Sequence, residues 1–302
     1  MIFKTKAPGS LMLFGEHAVL EGYPGLVAAI NHYMHVELVP RSDNCITISS
    51  KKLGRYQTTI DCLEIASPFQ FVLACLAQVQ PLLKSGCDLT ISSDFSHQIG
   101  FGSSAAVTVA LQKALSLWLE LDYNLQAIFE YSLQAIRSIQ TVGSGADAAA
   151  STFGGIVDFG KNIISFKSKL PLLAIYCGYK TATVVVIKKV QQTMAKEVCH
   201  QIFEKMAAIT EQAKIALKEQ NWPAVGLLAN QHNKLQEQLG VSDQTLHAIN
   251  NCVRQQKNIF GSKISGSGLG DCVVAIGQLN DVQLPWHTIA LEISQHGVIE
   301  SA

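Results

Sequence analysis

The chain has 302 residues, of which 23 are lysine or arginine and 23 are aspartate or glutamate, and only 15% are charged. A balanced charge without a long basic or acidic run argues against nucleic acid or an anionic membrane surface as partner. No apolar run approaches the roughly 18 residues of a membrane span, so we expect no membrane-embedded segment and favour a small-molecule partner. The 48% hydrophobic content favours an oligomeric interface, such as that of a homodimer. Eight scattered cysteines without a C-x-x-C pair predict reduced thiols and a cytoplasmic location.

The first hundred residues alternate short apolar runs with turn signals. This pattern predicts strands at "SLMLFG", "GLVAAI", "MHVELV", "CITISS", "YQTTID" and "CDLTISSDF". A helix is expected over "SPFQFVLACLAQVQPLL", with Ser67 as its N-cap and Pro68 in its first turn. Two more helices are expected, one from about Ala105 to about Leu121 and one over "NLQAIFEYSLQAIRSIQ".

The pattern of predicted strands and helices changes at about Ser165. "LAIYCGYKTATVVVIKKV" is strand-like, three helical segments follow between about Thr193 and Gln256, and a glycine-rich loop leads into a strand at "DCVVAIG". We place a domain boundary there, which gives domains at 1–165 and 166–302. Strands and helices do not alternate regularly, so the predicted class is α+β rather than a doubly wound parallel sheet.

Two glycines and two serines stand together in "GFGSS", Gly100 to Ser104, directly before a predicted helix. Glycines allow a ligand to approach the backbone closely, and the serines can cap the helix. The unpaired N–H groups and positive dipole end of a helix attract phosphate. By itself the stretch is more typical of a structural cap than of an anion site. It matches neither a Walker A loop nor a dinucleotide-binding fingerprint.

Two further loops have the same small-residue character. "GSGAD", Gly143 to Asp147, places a carboxylate directly after two glycines, where it can cap a helix or serve catalysis. "SGSGLGDC", Ser265 to Cys272, precedes an apolar strand and is in isolation a turn or a bulge. Three such loops in a chain of neutral charge indicate a pocket lined by backbone N–H groups rather than by basic side chains.

Three segments resemble the ordered motifs of the galactokinase, homoserine, mevalonate and phosphomevalonate (GHMP) kinase superfamily: "KAPGSLMLFGEHAVLEGYPGL", "GFGSSAAVTVA" and "KISGSGLGDCVVAI". They occur in the family's order and span nearly the whole chain. The resemblance implies a two-domain GHMP kinase fold, with an N-terminal part like ribosomal protein S5 domain 2 and a C-terminal ferredoxin-like part. It also implies a kinase that binds ATP and Mg²⁺ between these parts.

The resemblance implies roles for individual residues. Asp147 falls at the position of the family's catalytic aspartate, and Ser104 at that of a Mg²⁺ ligand. The second motif would wrap the triphosphate, and the third would close over phosphates and substrate. The phosphate-binding residues implied in this way are Gly100, Gly102, Ser103, Ser104, Ala105, Ala106, Gly266, Gly268 and Gly270.

The first motif is close to the mevalonate kinase version, "FGEHAVLEG". This likeness implies an alcohol substrate, mevalonate, that is phosphorylated on its 5-hydroxyl in isoprenoid precursor synthesis. Glu16 and His17 would border the substrate, and Thr183 stands at the position of a substrate-contacting threonine.

Several residues depart from the family pattern. Ser10 stands where the first motif usually carries a lysine, and serine cannot supply a cation. Either Lys6 or another base fills in, or the partnership with Asp147 is different. Ile136 stands where many mevalonate kinases have a second acidic metal ligand, and isoleucine cannot ligate Mg²⁺. The second motif also reads Ser96-His97-Gln98-Ile99 where a proline and a glycine are usual.

Other hypotheses stay open beside mevalonate kinase. The stretches 143–149 and 266–272 fit phosphomevalonate kinase patterns, and Lys180, Lys188 and Lys189 are candidate cations for a phosphorylated substrate. A non-catalytic nucleotide or metabolite sensor on the same scaffold is a further alternative, because two charge-bearing positions are substituted. The decarboxylase branch fits less well, since its first motif departs from G-E-H-A-V.

Overall fold

The computed structural model describes residues 1–96, 99–140, 143–279 and 283–301. His97 and Gln98 of the second motif lie outside the described residues. Up to residue 166 the described chain forms seven strands and four α-helices: β1 (Phe3–Phe14), β2 (Gly25–Pro40), β3 (Cys45–Ser50), β4 (Gly54–Thr59), α1 (Gln70–Val79), β5 (Cys87–Ser93), α2 (Ser103–Trp118), α3 (Leu125–Ile139), α4 (Ala146–Phe153), β6 (Ile156–Phe159) and β7 (Ile163–Phe166).

The described part of the second half forms five strands and four α-helices: β8 (Leu172–Tyr176), α5 (Thr183–Thr193), α6 (Lys196–Lys218), α7 (Trp222–Gln238), α8 (Gln244–Arg254), β9 (Ile259–Ser265), β10 (Cys272–Gly277), β11 (Thr288–Leu291) and β12 (Ile299–Glu300). The mixed order of these elements confirms the predicted α+β class. No helix in the described ranges has both the length and the apolar character that crossing a bilayer requires.

The first sheet has the strand order β12-β1-β2-β5-β3-β4, and β6 pairs with both β2 and β7. Its neighbours are antiparallel except β3 and β5, which run parallel. Helices α1 to α4 pack with this sheet around the main hydrophobic core. The core depends on apolar burial, which stabilises by about 25 cal/mol per Å² of apolar surface removed from water.

The second sheet is antiparallel throughout, in the order β11-β8-β10-β9. Helix α7 packs on β9 so closely that a Cβ at Gly261 would lie 1.9 Å from the Gly226 carbonyl oxygen. The chain passes from the first sheet to the second between β7 and β8, and β12 then returns to pair with β1. The division at residue 165 stays a prediction.

The two predicted strands "GLVAAI" and "MHVELV" are one continuous strand, β2. Its partner β1 pairs Pro8 with Tyr33 and then Gly9 with Ile30, so two extra residues of β2 bulge at this point. Bulges bend a strand without ending it, which explains why the polar stretch between the two apolar runs does not form a turn.

The interpretation of "TATVVVIKKV" as strand-like was wrong, because this segment forms helix α5. Val186 and Val190, four residues apart, are buried, whereas Val184 and Val185 are exposed. The apolar side chains thus follow the helical period of 3.6 rather than the strand period of 2. A run of β-branched residues hides this period in the sequence.

Two predicted helix starts also differ from the structure. Helix α1 begins at Gln70 after the buried Phe69, whose carbonyl accepts the hydrogen bond from Leu73 N (2.9 Å), so Ser67 is not its cap. Helix α2 begins at Ser103 instead of near Ala105 and ends at Trp118. Its cap position is Gly102 in the left-handed conformation, without a side-chain bond, so the two serines are the first helical residues rather than caps.

The three helical segments expected between Thr193 and Gln256 are confirmed as α6, α7 and α8. Asn221 and Asp243 cap α7 and α8, since their side-chain oxygens accept hydrogen bonds from Ala224 N (3.2 Å) and Leu246 N (2.9 Å). These side chains satisfy N–H groups that would otherwise lack partners in the first turn.

Candidate active site

The loop before α2 lies between two carboxylates. A Cβ at Gly102 would lie 2.0 Å from Ser10 Oγ and 3.5 Å from Asp147 Cβ, and a Cβ at Gly100 would lie 3.1 Å from the Asp271 carboxyl group. Both glycines have positive φ, 86° at Gly100 and 62° at Gly102. This conformation is unfavourable in free energy for any residue that carries a Cβ. The structure therefore brings all three predicted loops together. The positive φ and the close contacts explain why glycine stands at positions 100 and 102.

Asp147 is the second residue of α4, after Gly145 at the cap position with φ of 94°. Its Oδ1 accepts a hydrogen bond from Ser10 Oγ at 2.8 Å, which joins β1 to α4. The carboxylate is accessible to solvent although protein surrounds it on most sides. Reduced hydration raises its pKa, and the Ser10 hydrogen bond and the charge of Lys180 oppose that rise. Because solvent still reaches the carboxylate, we expect the rise to be limited.

Asp271 follows the third glycine-rich loop. Its side chain is 9% exposed, its φ is 62°, and its Oδ1 has no hydrogen-bond partner within the described residues. Lys180 Nζ lies 3.7 Å from this oxygen. Burial raises the pKa of Asp271, the charge of Lys180 lowers it, and the charge of Asp147 raises it further. Lys180 thus lies beside Asp271, and its charge also acts on Asp147.

The first turn of α2 borders a cavity of about 830 Å³. Ser103 and Ser104 line it, while Ala105 and Ala106 are buried beneath them. A helix N-terminus with accessible serines suits an anion, and the volume lies in the range of small-molecule pockets. The remaining wall combines apolar and basic side chains that sequence reasoning missed: Met34, Lys51, Lys52, Arg55, Phe69, Ile91, Phe95 and Val107.

The glycines of the third loop mainly allow close packing. A Cβ at Gly268 would lie 2.3 Å from the Val241 carbonyl oxygen, and a Cβ at Gly270 would lie 2.9 Å from Thr181 N. At Gly266 the nearest atom would be Asp271 Oδ2, at 3.4 Å. These contacts hold the loop against the segment before α8 and the segment before α5, next to Asp271.

Glu16 and His17 follow the end of β1, and their side chains lie in different surroundings. Glu16 is 3% exposed and accepts a hydrogen bond from Lys263 Nζ, itself 1% exposed. His17 Nε2 donates to the Ser267 carbonyl oxygen at 2.8 Å, and burial lowers the pKa of this imidazole. Lys263 lies in β9 among consecutive buried residues, and no motif in the sequence pointed to it. The substrate contact of Glu16 stays a prediction.

The neutral His232 completes this buried group. Its Nε2 lies 3.1 Å from Gly15 N and accepts that hydrogen bond, and burial holds its pKa well below the usual range. His17, in contrast, borders a second cavity of about 700 Å³ whose walls come largely from α5 and α6. The predicted substrate residue His17 therefore has access to a small-molecule space.

The remaining residues that the sequence suggested for the site are not in contact with Asp147 or Asp271 by any hydrogen bond or ion pair that the structure shows among the described residues. Thr183 is an exposed first residue of α5, and Thr181 instead donates a hydrogen bond to the Leu269 carbonyl oxygen. Lys6 Nζ lies 4.7 Å from the centre of the Tyr33 ring, and Ile136 is packed into the core at 8% exposure. Lys188 and Lys189 are exposed on α5.

The oxygen groups around the loop suit a hard cation. Among the described residues, no three His, Cys, Asp or Glu side chains cluster as a metal site of their own. The Ser104 hydroxyl and the carboxylates of Asp147 and Asp271 border the loop, and oxygen donors are what Mg²⁺ prefers. Such a sparse protein donor set fits a metal that arrives bound to phosphates.

Comparison with known proteins agrees with this geometry. Two family models match the chain, GHMP kinases N terminal domain over residues 70–155 and GHMP kinases C terminal over residues 213–284. The mevalonate kinase of Saccharolobus solfataricus is 29% identical over 287 residues, which cover 91% of this chain and 90% of that protein.

Two solved structures share the fold. Methanococcus jannaschii mevalonate kinase superposes with a TM-score of 0.82 at 22% identity, covering 97% of this chain and 98% of that one. Streptococcus pneumoniae phosphomevalonate kinase, solved with phosphomevalonate and AMPPNP, gives a TM-score of 0.77 at 18% identity and covers 92% of each chain. These likenesses confirm the predicted two-domain fold. Since the two family models together match more than half of its residues, the chain belongs to the GHMP kinase family.

Proposed function

We propose that the chain is an ATP-dependent kinase that phosphorylates the 5-hydroxyl of mevalonate. The observation that carries the proposal is the position of Asp147, an accessible carboxylate that is hydrogen-bonded to Ser10 and packed against Gly102. Gly102 belongs to the loop Gly100 to Gly102 before α2, which we call the phosphate loop. Phosphoryl transfer depends on positioning and charge neutralisation, so a base beside a phosphate cradle suffices.

ATP is expected in the cavity of about 830 Å³ at the start of α2. The backbone N–H groups of the first turn and the hydroxyls of Ser103 and Ser104 would hold phosphate oxygens, and the helix dipole favours their negative charge. The apolar wall formed by Met34, Phe69 and Phe95 suits a flat aromatic base. Since a Cβ at Gly102 would lie 3.5 Å from Asp147 Cβ, the loop would bring the last phosphate near Asp147.

Asp147 would accept the proton of the substrate hydroxyl, or at least orient that hydroxyl for attack. A raised pKa makes the carboxylate a better base than a fully hydrated aspartate, provided that it is ionised at the working pH. Mg²⁺, when bound, would neutralise phosphate charge, with Ser104 as its side-chain ligand and the ATP phosphates supplying further oxygens. His17 would border the substrate from the neighbouring cavity.

The choice of mevalonate over phosphomevalonate is supported by relatives and by charge. The Saccharolobus protein that aligns with 91% of this chain is a mevalonate kinase. A phosphorylated substrate would need spare cationic side chains. Lys188 and Lys189 lie exposed on α5 and line neither cavity. Lys180 lies beside Asp271, where its charge would serve the transferred phosphoryl group rather than a second phosphate on the alcohol.

We further propose a cytoplasmic location and a homodimer. All eight cysteines are free, as in a reducing compartment. Exposed apolar side chains on α6 and α7, Ile215 at 57% and Leu227 at 58%, are available for a subunit contact. Light scattering on the purified protein measures the subunit number.

Coupled release of ADP, measured separately with mevalonate and with phosphomevalonate, tests the function. We expect turnover with mevalonate. Turnover with phosphomevalonate alone would identify the alternative substrate. Binding of ATP without turnover of either alcohol would overturn the proposal in favour of a non-catalytic nucleotide sensor.

A further inference from the structure

We propose that Lys180 supplies the positive charge that stabilises the phosphoryl group during transfer, in place of the lysine for which this chain has Ser10. The inference rests on the proposed kinase function and assigns a further catalytic residue within the same site. It is carried by the position of Lys180 beside Asp271, whose carboxyl group lies against Gly100 of the phosphate loop.

The ammonium group is placed by the third loop. Lys180 Nζ lies 3.7 Å from Asp271 Oδ1, and the Asp271 carboxyl group lies against Gly100 of the phosphate loop. The Lys180 side chain is 43% exposed, whereas that of Asp271 is 9% exposed. Asp271 therefore anchors the lysine at the loop while leaving it accessible to a ligand.

The backbone around Lys180 is fixed on both sides. Asp271 N donates to the Tyr179 carbonyl oxygen at 3.0 Å, and Thr181 Oγ1 donates to the Leu269 carbonyl oxygen. Gly270 packs so closely that a Cβ there would lie 3.2 Å from Lys180 Cα. A lysine held this way is pre-organised, so less entropy is lost when it meets a phosphate.

The electrostatics point to the same residue. The charge of Lys180 lowers the pKa of both Asp147 and Asp271, which means that it acts on both carboxylates at once. Ser10 gives Asp147 a hydrogen bond without a charge. Lys6, the other candidate, lies over the Tyr33 ring.

The chemical step assigns each group a task. The substrate hydroxyl oxygen forms a bond to the γ-phosphorus of ATP while the bond from that phosphorus to the β–γ bridging oxygen breaks, so that ADP leaves. The hydroxyl proton passes to Asp147. Lys180 would stabilise the negative charge that the transition state spreads over the three equatorial oxygens of the transferred phosphoryl group.

The test compares three single variants with the wild type. Lys180→Met removes the charge and keeps the length of the side chain, Lys180→Arg keeps the charge, and Lys188→Met removes an exposed lysine of neighbouring α5. We expect Lys180→Met to lower kcat by about 10²-fold to 10³-fold, as for loss of one transition-state donor, with KM for the alcohol little changed. Lys180→Arg should retain most of the wild-type activity, and Lys188→Met should match the wild type.

A second readout separates catalysis from folding. Without Lys180 the pKa of Asp147 rises, so the acidic limb of the rate against pH should move to higher pH in Lys180→Met, with an unchanged melting temperature. Lys180→Gln repeats the test if the methionine variant fails to fold.

Two failures are distinguishable. Absence of turnover by the wild type with either alcohol overturns the proposed function itself. An active wild type with equal kcat and an equal pH profile in Lys180→Met or Lys180→Gln overturns only the role of Lys180.

Discussion

Two lysine–carboxylate pairs lie at the junction of the loops, and they differ in access to solvent. The side chains of Lys263 and Glu16 are 1% and 2% exposed, and a hydrogen bond joins them directly. Lys180 is 43% exposed, and its Nζ lies 3.7 Å from Asp271. Breaking a pair sealed from solvent leaves an uncompensated buried charge, whereas an open pair can exchange part of its interaction for a ligand. We therefore expect the first pair to matter for folding and propose the second for chemistry.

The largest expected effect on stability belongs to the sealed pair. Lys263→Met leaves the Glu16 carboxylate buried without its partner, and breaking such a pair costs about 3 to 5 kcal/mol. Chemical denaturation measures this loss. The double variant Glu16→Gln with Lys263→Met should recover part of it, because no buried charge remains.

Lys180→Met is the matched control for that experiment. Since its side chain is 43% exposed, we expect little change in the free energy of unfolding. Similar losses of stability in both lysine variants would contradict the distinction between a sealed and an open pair.

A smaller effect is expected at the phosphate loop. Gly102→Ala places a Cβ 2.0 Å from Ser10 Oγ at φ of 62°, and Ser10 can turn away only by losing its hydrogen bond to Asp147. We expect a loss of about 1 to 3 kcal/mol of stability together with lower kcat/KM for ATP. Denaturation and steady-state kinetics measure the two quantities.

Gly22→Ala provides the comparison for this change. Gly22 also has positive φ, 84°, but no atom lies within 4 Å of the position that a Cβ would take. It should lose about 1 kcal/mol through backbone strain and keep its turnover. If Gly22→Ala lowers turnover as much as Gly102→Ala does, the contact with Ser10 has no special role.

The smallest effect is a shift in pH dependence. Asp147 must be ionised to accept a proton, so activity falls as pH falls through its pKa. The Ser10 hydrogen bond lowers that pKa, and Ser10→Ala should therefore move the acidic limb to higher pH with a modest loss of kcat. Rates across the acidic range test this, and a shift to lower pH would contradict it.

The sequence predicted the local features better than the long-range ones. Strands β3 to β5 and helices α6 to α8 follow from periodicity and turn residues, and the three loops were recognisable from their glycines. The catalytic role expected of Asp147 came from its match to the family motif. Helix α5 was missed because its β-branched residues favour strands, although tertiary packing of Val186 and Val190 determines the outcome.

Partners that are distant in sequence left no signal. Lys263 meets Glu16 across 247 positions, and Lys180 meets Asp271 only because both flank the packed third loop. The missing cation beside Asp147 could not be assigned from Ser10 alone, since several lysines were equally available. The folded chain places Lys180 beside Asp271, and this position is the reason for proposing it.

The most direct measurement is ADP release with mevalonate by the wild type and by Asp147→Asn, at equal melting temperature. The amide keeps the shape of the carboxylate but is a far weaker proton acceptor. We predict turnover by the wild type and a loss of about 10³-fold in kcat for the variant, within the range for removal of a general base. Unchanged turnover in a folded Asp147→Asn protein would contradict the assignment of Asp147 and its surroundings as the phosphoryl-transfer site.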